Sequence, residues 1–221
     1  MVLVTKKGIL KRTCLTEFSN KRSKNKGIIA ISFKEGDALL DAILTDGHAQ
    51  IMIAARNGRC VRFDENDARE LGRSSMGVRG INIDDDDEVI GMVFYNPEDP
   101  ESQGSTILVV SENGYGKRSE PDEYRITNRG AKGVRTLNIT EKTGSLIAIK
   151  TVHEDNDLMI INHSGMTIRM AVSEIRVAGR ATQGVKLINL RSTDTIAAVS
   201  VVAKEEVEEE QPEASDSQTE E

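Results

Sequence analysis

A chain of 221 residues with 29 Lys and Arg against 36 Asp and Glu carries a formal charge of −7, and hydrophobic residues make up 38% of it, enough for a sizeable core. Only 3% of the residues are aromatic and Trp is absent, so Ile, Val, Leu and Met must fill that core, and repeats of the WD type, which carry a Trp, are excluded. No apolar run reaches the ~18 residues of a membrane span and the N-terminus does not resemble a signal peptide, so a soluble cytoplasmic protein is expected, with Cys14 and Cys60 as reduced thiols.

The first predicted strand covers residues 1–4, turns at Gly8 and returns to about Thr13. The same events restart at residues 51–54 with Asn57-Gly58, at 107–110 with Asn113-Gly114 and at 158–161 with Ser164-Gly165, the returning strands ending near Phe63, Ser119 and Met170. Asn-Gly between two strand-like runs is a strong hairpin signal because both residues tolerate positive φ. Four hairpins are therefore predicted. Laid on one another without gaps, the copies form a grid: Gly8, Gly58, Gly114 and Gly165 have Arg four residues on (Arg12, Arg62, Arg118, Arg169) and an acid nine on (Glu17, Asp67, Glu123, Glu174). Nineteen residues on comes a second glycine (Gly27, Gly77, Gly133, Gly184), each followed by Ile or Val. The copies begin 50, 56 and 51 residues apart, a period that points to a propeller or solenoid.

Within a repeat, the Arg is expected to pair with the acid five residues further on, Arg12 with Glu17 and so on, while the acid caps a turn. From the acid to the second glycine, as in residues 20–26, the chain is polar and reads as an exposed loop. Beyond it two alternating strands are predicted, Val78, Ile81 and Ile83 on one and Val89, Ile90, Met92 and Val93 on the other, with residues 84–87 as the turn. Four strands per unit predict an all-β, propeller-like fold with repeats at about residues 1–50, 51–106, 107–157 and 158–203. Residues 94–105, with Pro97, Pro100 and Gly104, read as an inserted loop, and 204–221 as a disordered acidic tail.

That tail holds nine acids and one Lys, so the first 203 residues have a net charge near +1. Four windows, residues 6–29, 56–79, 114–135 and 165–186, hold 24 of the 29 basic residues and nine acids, so positive charge recurs once per repeat. No catalytic set is visible: His48, His153 and His163 fall at unrelated places, and the acidic run 84–88 lacks the spacing of a Ca²⁺ loop, so no metal site is expected. The candidate ligand-binding residues are instead Lys21, Arg22, Lys24, Lys26, Arg73, Arg129, Lys132 and Arg180 before the second glycine, and Arg79, Arg135 and Lys186 two residues after it. Glycines let backbone N–H groups approach an oxyanion while the cations neutralise it, a combination suited to phosphate contacts without base reading. An acidic protein partner is the alternative, and a tethered acidic tail competing for the same cations would act as a brake.

Residues Leu15-Thr16-Glu17-Phe18, Gly77-Val78-Arg79-Gly80-Ile81, Asn113-Gly114-Tyr115-Gly116-Lys117-Arg118, Val172-Ser173-Glu174-Ile175 and Gly179-Arg180-Ala181-Thr182-Gln183-Gly184-Val185 carry a resemblance. The units resemble the repeats in the C-terminal domain of the DNA gyrase A protein, shared more loosely with topoisomerase IV. The resemblance covers residues 1–203 and implies a β-pinwheel, a disc of propeller-like blades that exchange a strand and wrap duplex DNA on a basic rim. It implies work within an A2B2 assembly with the gyrase B protein, which uses ATP and Mg²⁺ to introduce negative supercoils. This chain alone is expected to need no cofactor and to neither cleave DNA nor hydrolyse ATP. Family discs usually have six blades; the four here resemble the last four, and Met1 lies on the opening strand, so a fragment of a longer protein is expected. The family's Gln-Arg-Arg-Gly-Gly-Lys-Gly box is absent. Its nearest counterpart, Asn128-Arg129-Gly130-Ala131-Lys132-Gly133, marks Arg129 and Lys132 as equivalent in position.

Overall fold

Glycines in the left-handed region, Gly8 (φ 80°), Gly58 (80°), Gly114 (83°) and Gly165 (86°), turn four antiparallel hairpins, as their sequences predict. The computed structural model describes residues 1–19, 27–191 and 193–203, so Lys21, Arg22, Lys24, Lys26 and the tail lie outside the described residues. In chain order the strands are β1 (Val2–Thr5), β2 (Ile9–Arg12), β3 (Leu39–Ile43), β4 (Gln50–Ala55), β5 (Arg59–Asp64), β6 (Val78–Arg79), β7 (Val89–Tyr95) and β8 (Thr106–Ser111). They continue with β9 (Tyr115–Ser119), β10 (Val134–Arg135), β11 (Leu146–Val152), β12 (Asn156–Asn162), β13 (Thr167–Ala171), β14 (Val185–Lys186) and β15 (Ile196–Ala203). The fold is all-β, with helical turns confined to Thr16–Ser19, Glu65–Asp67, Pro121–Glu123 and Val172–Glu174 among the described residues. No helix among the described residues is long and apolar enough to cross a membrane.

The sheets run β3-β1-β2-β6, β10-β5-β4-β7, β11-β8-β9-β14 and β13-β12-β15. The expected pair of long strands after each second glycine is corrected here. The first of them is two residues long and leaves its own repeat: β6 pairs with β2, β10 with β5 and β14 with β9, so each outer strand is donated by the next repeat. The reason is a carbonyl. Gly8 O accepts from Gly80 N (2.8 Å), Gly58 O from Thr136 N (2.8 Å) and Gly114 O from Leu187 N (2.8 Å), which ends the ladder and turns the chain inward. Ile81, alternating in sequence like a strand residue, then drops into the core at 1% exposure.

At the other edge of each sheet, β7 packs against both β3 and β11, and β11 against β15, so these four strands line the centre while β6, β10 and β14 lie outermost. The core fills the spaces between sheets. Ile51, Ile53 and Ala55 of β4 face Val2, Val4 and Leu10, while the alternate residues Met52 and Ala54 face Ile107 and Val109 of β8. Leu108 and Val110, on the other face of β8, meet Leu158 and Ile160 of β12. Burial on both faces explains why the central strands are apolar runs, whereas β15, with one face covered, alternates.

The Arg–acid pairing expected within each repeat does not form. Arg12 reaches Asn66 Oδ1 (2.6 Å) and Glu70 Oε1 (3.0 Å), and Arg118 reaches Ile175 O (2.8 Å) and Glu154 Oε1 (3.2 Å). Arg62 donates to Gln50 Oε1 (2.7 Å), Tyr124 O (3.0 Å) and Pro121 O. In these three repeats the guanidinium therefore grips the turn of the following repeat, and the backbone repeats the step: Leu71 N, Thr127 N and Ala178 N donate to Arg12 O, Arg62 O and Arg118 O at 2.9, 2.8 and 2.8 Å. Five donors on a rigid fork suit several carbonyls at once, which an acid nearby in sequence would not require. Arg169, in the last hairpin, pairs with Asp157 (2.7 Å) across β12–β13.

Residues 94–105 also differ from expectation. β7 continues through Tyr95, and the loop that follows is packed, with Asn96 N bonded to Ser102 Oγ (3.3 Å) and Asn96, Ser102 and Ser105 all buried.

Candidate nucleic-acid interface

Strand exchange decides which cations reach the outer edge. Arg79, Arg135 and Lys186 are the second residues of β6, β10 and β14, and all three are exposed. Their registers match: Arg79 opposes Ile9, Arg135 opposes Arg59 and Lys186 opposes Tyr115, each partner being the residue after the first glycine. Three successive sheets thus present a cation at one position on the outermost strand.

The loop cations adjoin them. Arg129 Nη1 donates to Arg79 O (3.3 Å) and its Nε to Asp67 O (2.9 Å). One repeat on, Arg180 Nη1 donates to Arg135 O (2.8 Å) and its Nε to Glu123 O (2.9 Å). Arg73 Nη1 likewise donates to Ile29 O (2.6 Å). Each loop Arg is therefore half-buried and bolts its repeat to the preceding one, while bringing its charge against the preceding outer-strand cation: Arg129 beside Arg79, Arg180 beside Arg135. The repeat's acid contributes chiefly through its backbone, the carbonyls of Asp67 and Glu123 accepting these bonds, and Glu123 Oε2 accepts from Arg180 N (2.6 Å). Lys132 is exposed in the same loop as Arg129.

Two features escape a reading of the sequence. Arg59 is exposed opposite Arg135 and donates to Gly133 O (3.2 Å), so it joins the outer edge. Lys142 Nζ lies over the Tyr115 ring at 5.3 Å, beside the Lys186 register. Conversely, the sorting of bases into windows overstates the surface charge, because Lys11, Arg62, Lys117 and Arg118 are buried. The signal is present in the grid: the residue three after the first glycine is Lys11, Val61, Lys117 or Ile168, a column shared with apolar residues.

Lys117 is fully buried, with its Nζ donating to Ser119 Oγ (2.7 Å). Desolvation pushes its pKa from 10.5 down to about 8, Glu123 opposing and Arg180 adding to the fall. Below pH 8 the penalty for burying the ammonium is present in full; between about 8 and 10.5 the unfolded chain holds a proton the folded one has released, so stability rises with pH. Lys117→Met is expected to raise stability at neutral pH by about 1–3 kcal/mol and to flatten that rise. Urea denaturation at neutral pH and near pH 10 measures both.

A family model described as the DNA gyrase C-terminal domain, a beta-propeller, matches residues 1–46, 49–96, 105–153 and 156–203. The DNA gyrase A protein of Ureaplasma parvum serovar 3 is 42% identical over 211 residues, covering 96% of this chain and 24% of that protein. A solved DNA gyrase A C-terminal domain superposes with a TM-score of 0.76 at 25% identity, covering 90% of this chain and 64% of that one. A C-terminal domain of DNA topoisomerase IV shares the fold, with a TM-score of 0.83 at 22% identity, 91% of this chain and 61% of that one being covered. The chain spans about a quarter of the length of the curated relatives it matches. With all four repeats matched in turn and the identity spread over nearly its whole length, the chain belongs to the family of DNA gyrase A C-terminal domains.

Proposed function

We propose that this chain binds duplex DNA without sequence preference, the phosphates following the outer strands of successive sheets, and that a longer duplex wraps along this edge. The carrying observation is the shared register of Arg79, Arg135 and Lys186 on β6, β10 and β14, with Arg129 and Arg180 bonded to the backbone of the first two. Guanidinium and ammonium groups repeated along one edge neutralise a backbone whose charge also repeats, and no deep cleft is needed to read base edges. Within a DNA gyrase A protein, such wrapping would give the crossing that strand passage converts to a negative supercoil. Cleavage, ATP and Mg²⁺ would then come from the rest of gyrase A and from gyrase B in an A2B2 assembly. This chain by itself would be a cofactor-free, non-catalytic DNA-binding part, working in the cytoplasm on the nucleoid.

The test is the salt dependence of duplex affinity. With ~6 to 8 phosphates neutralised, log K is expected to fall against log salt with a slope of about −5 to −7, equally for unrelated sequences. A slope near zero, or affinity confined to one sequence, would overturn the reading.

A further inference from the structure

The outer edge of three sheets is built from two pieces, and the second piece carries cations of its own. The accepting strand meets the donated strand at its first two residues, Ile9-Leu10, Arg59-Cys60 or Tyr115-Gly116. At its fourth residue it meets the following repeat again, now in parallel: Arg12 bridges Glu70, and Arg118 bridges Val177 with Arg118 N donating to Arg176 O at 3.1 Å. In the middle sheet Thr127 N makes the corresponding bond to Arg62 O at 2.8 Å. Two residues before each of the donors Leu71, Thr127 and Ala178 stands an arginine: Arg69, Arg125 and Arg176.

These three share one place in the repeat, eleven residues after Gly58, Gly114 and Gly165, and all are exposed. The residues just before them, Ala68, Tyr124 and Ile175, are buried and pin the stretch to the core, which leaves the next side chain to solvent. Among the described residues none of the three guanidinium groups has a hydrogen bond or ion pair, unlike Arg12, Arg62 and Arg118 in the same junctions. The adjacent acids are engaged elsewhere, Glu70 with Arg12 (3.0 Å) and Asp122 toward Arg62 (3.9 Å). Each junction lies between two repeats that the chain contains.

The spacing of the two pieces has a counterpart in a duplex. From the first to the fourth residue of a strand is ~10 Å. The row Arg79, Arg135 and Lys186 and the row Arg69, Arg125 and Arg176 therefore run side by side along three sheets at about that separation. The minor groove of B-DNA is about 6 Å between its walls and the major groove about 12 Å, so side chains rooted ~10 Å apart straddle the first and fall short across the second. A duplex wrapped on a protein turns its minor groove inward once per helical turn, presenting both walls to such an edge.

We propose that Arg69, Arg125 and Arg176 form a second row of phosphate contacts, so that each of these sheet edges holds the two backbones of a duplex across its minor groove. One row alone would track a single backbone; two rows fix how the duplex is rotated about its own axis as it passes each blade. The inference rests on the duplex binding proposed above and adds residues and a groove to it.

The test compares the 221-residue chain with a variant carrying Arg69→Gln, Arg125→Gln and Arg176→Gln, on two short duplexes of the same mixed sequence. One duplex is native and the other has the phosphates of one strand replaced by uncharged methylphosphonates. On the native duplex the variant is expected to bind about a hundredfold more weakly near 0.1 M salt, with the salt slope reduced by roughly 2 to 3. On the half-neutral duplex the parent and the variant should bind alike, since only one backbone is left to hold. Arg→Lys at the same three positions should keep the native affinity, because a phosphate needs only the charge, and the melting temperatures of both variants should match the parent. A Gln variant that binds the native duplex as the parent does overturns this inference alone. Equal losses on the two duplexes would place both rows on one backbone and overturn it too, as would a Lys variant as weak as the Gln one. A parent that binds the native duplex without salt dependence removes the reading on which it rests.

Discussion

Arg62→Ala is expected to destabilise the protein by about 3–5 kcal/mol, read as a fall in the urea midpoint at unchanged slope. The Arg62 side chain is 5% exposed, its Nε on Gln50 Oε1 at 2.7 Å, its Nη1 on Tyr124 O at 3.0 Å and on Pro121 O, with Asp122 Oδ1 at 3.9 Å. Burial lowers its pKa and Asp122 opposes the fall, and the guanidinium, which proteins do not deprotonate, stays charged. Alanine would leave two turn carbonyls and a side-chain amide without donors at a junction between sheets. Lysine should not rescue it, since one ammonium cannot span the three acceptors. Arg56, which bridges Glu88 (3.3 Å) and Glu112 (3.5 Å) in the open, is the comparison, with about 0.5 kcal/mol lost on replacement by alanine. Equal losses at the two positions would show that the grip on the next turn does not hold the sheets together.

Reversing the outer-edge charges in one variant, Arg79→Glu, Lys132→Glu, Arg135→Glu and Lys186→Glu, is expected to lower duplex affinity about a thousandfold near 0.1 M salt and to reduce the salt slope by roughly 3 to 4. All four side chains are exposed, and the bonds that Arg79 and Arg135 make to Asn82 Oδ1 (3.5 Å) and Asn138 Oδ1 (3.4 Å) are long, so the melting temperature should stay near that of the parent. Arg129 and Arg180 should behave differently. Their carbonyl bonds make each a structural tie as well as a charge, and replacement by Gln should lower stability together with affinity. Affinity that survives the fourfold reversal would move the DNA path away from the outer strands.

The hairpins are legible because their signals are local. Asn57-Gly58 and Asn113-Gly114 specify a turn within two residues, and the flanking apolar runs specify strands. What lies between repeats is not legible by the same means. Arg12 takes partners at Asn66 and Glu70, more than fifty positions away, while Glu17 stands five away and looks sufficient on paper. Ile81 and Ile83 alternate as a strand would, but the bond from Gly80 N to Gly8 O diverts the chain after two paired residues, and that bond belongs to the fold. At the candidate interface, the grid places Arg79, Arg135 and Lys186 correctly relative to one another because identical registers follow from identical spacing. It does not separate them from Arg129 and Arg180, since composition does not distinguish a cation bonded to a carbonyl from one facing water. Lys11 and Lys117 mislead more deeply: charge suggests surface, and only their column-mates Val61 and Ile168 point inward.

Donation of each outer strand by the following repeat also sets an order of completion on the ribosome. The first sheet waits for residues 78–79 to leave the exit tunnel, the second for 134–135 and the third for 185–186, so each of these three blades is finished by its successor. A nascent chain halted between those points carries one unclosed edge that travels along it as synthesis proceeds, and premature release would strand that edge one blade behind the break.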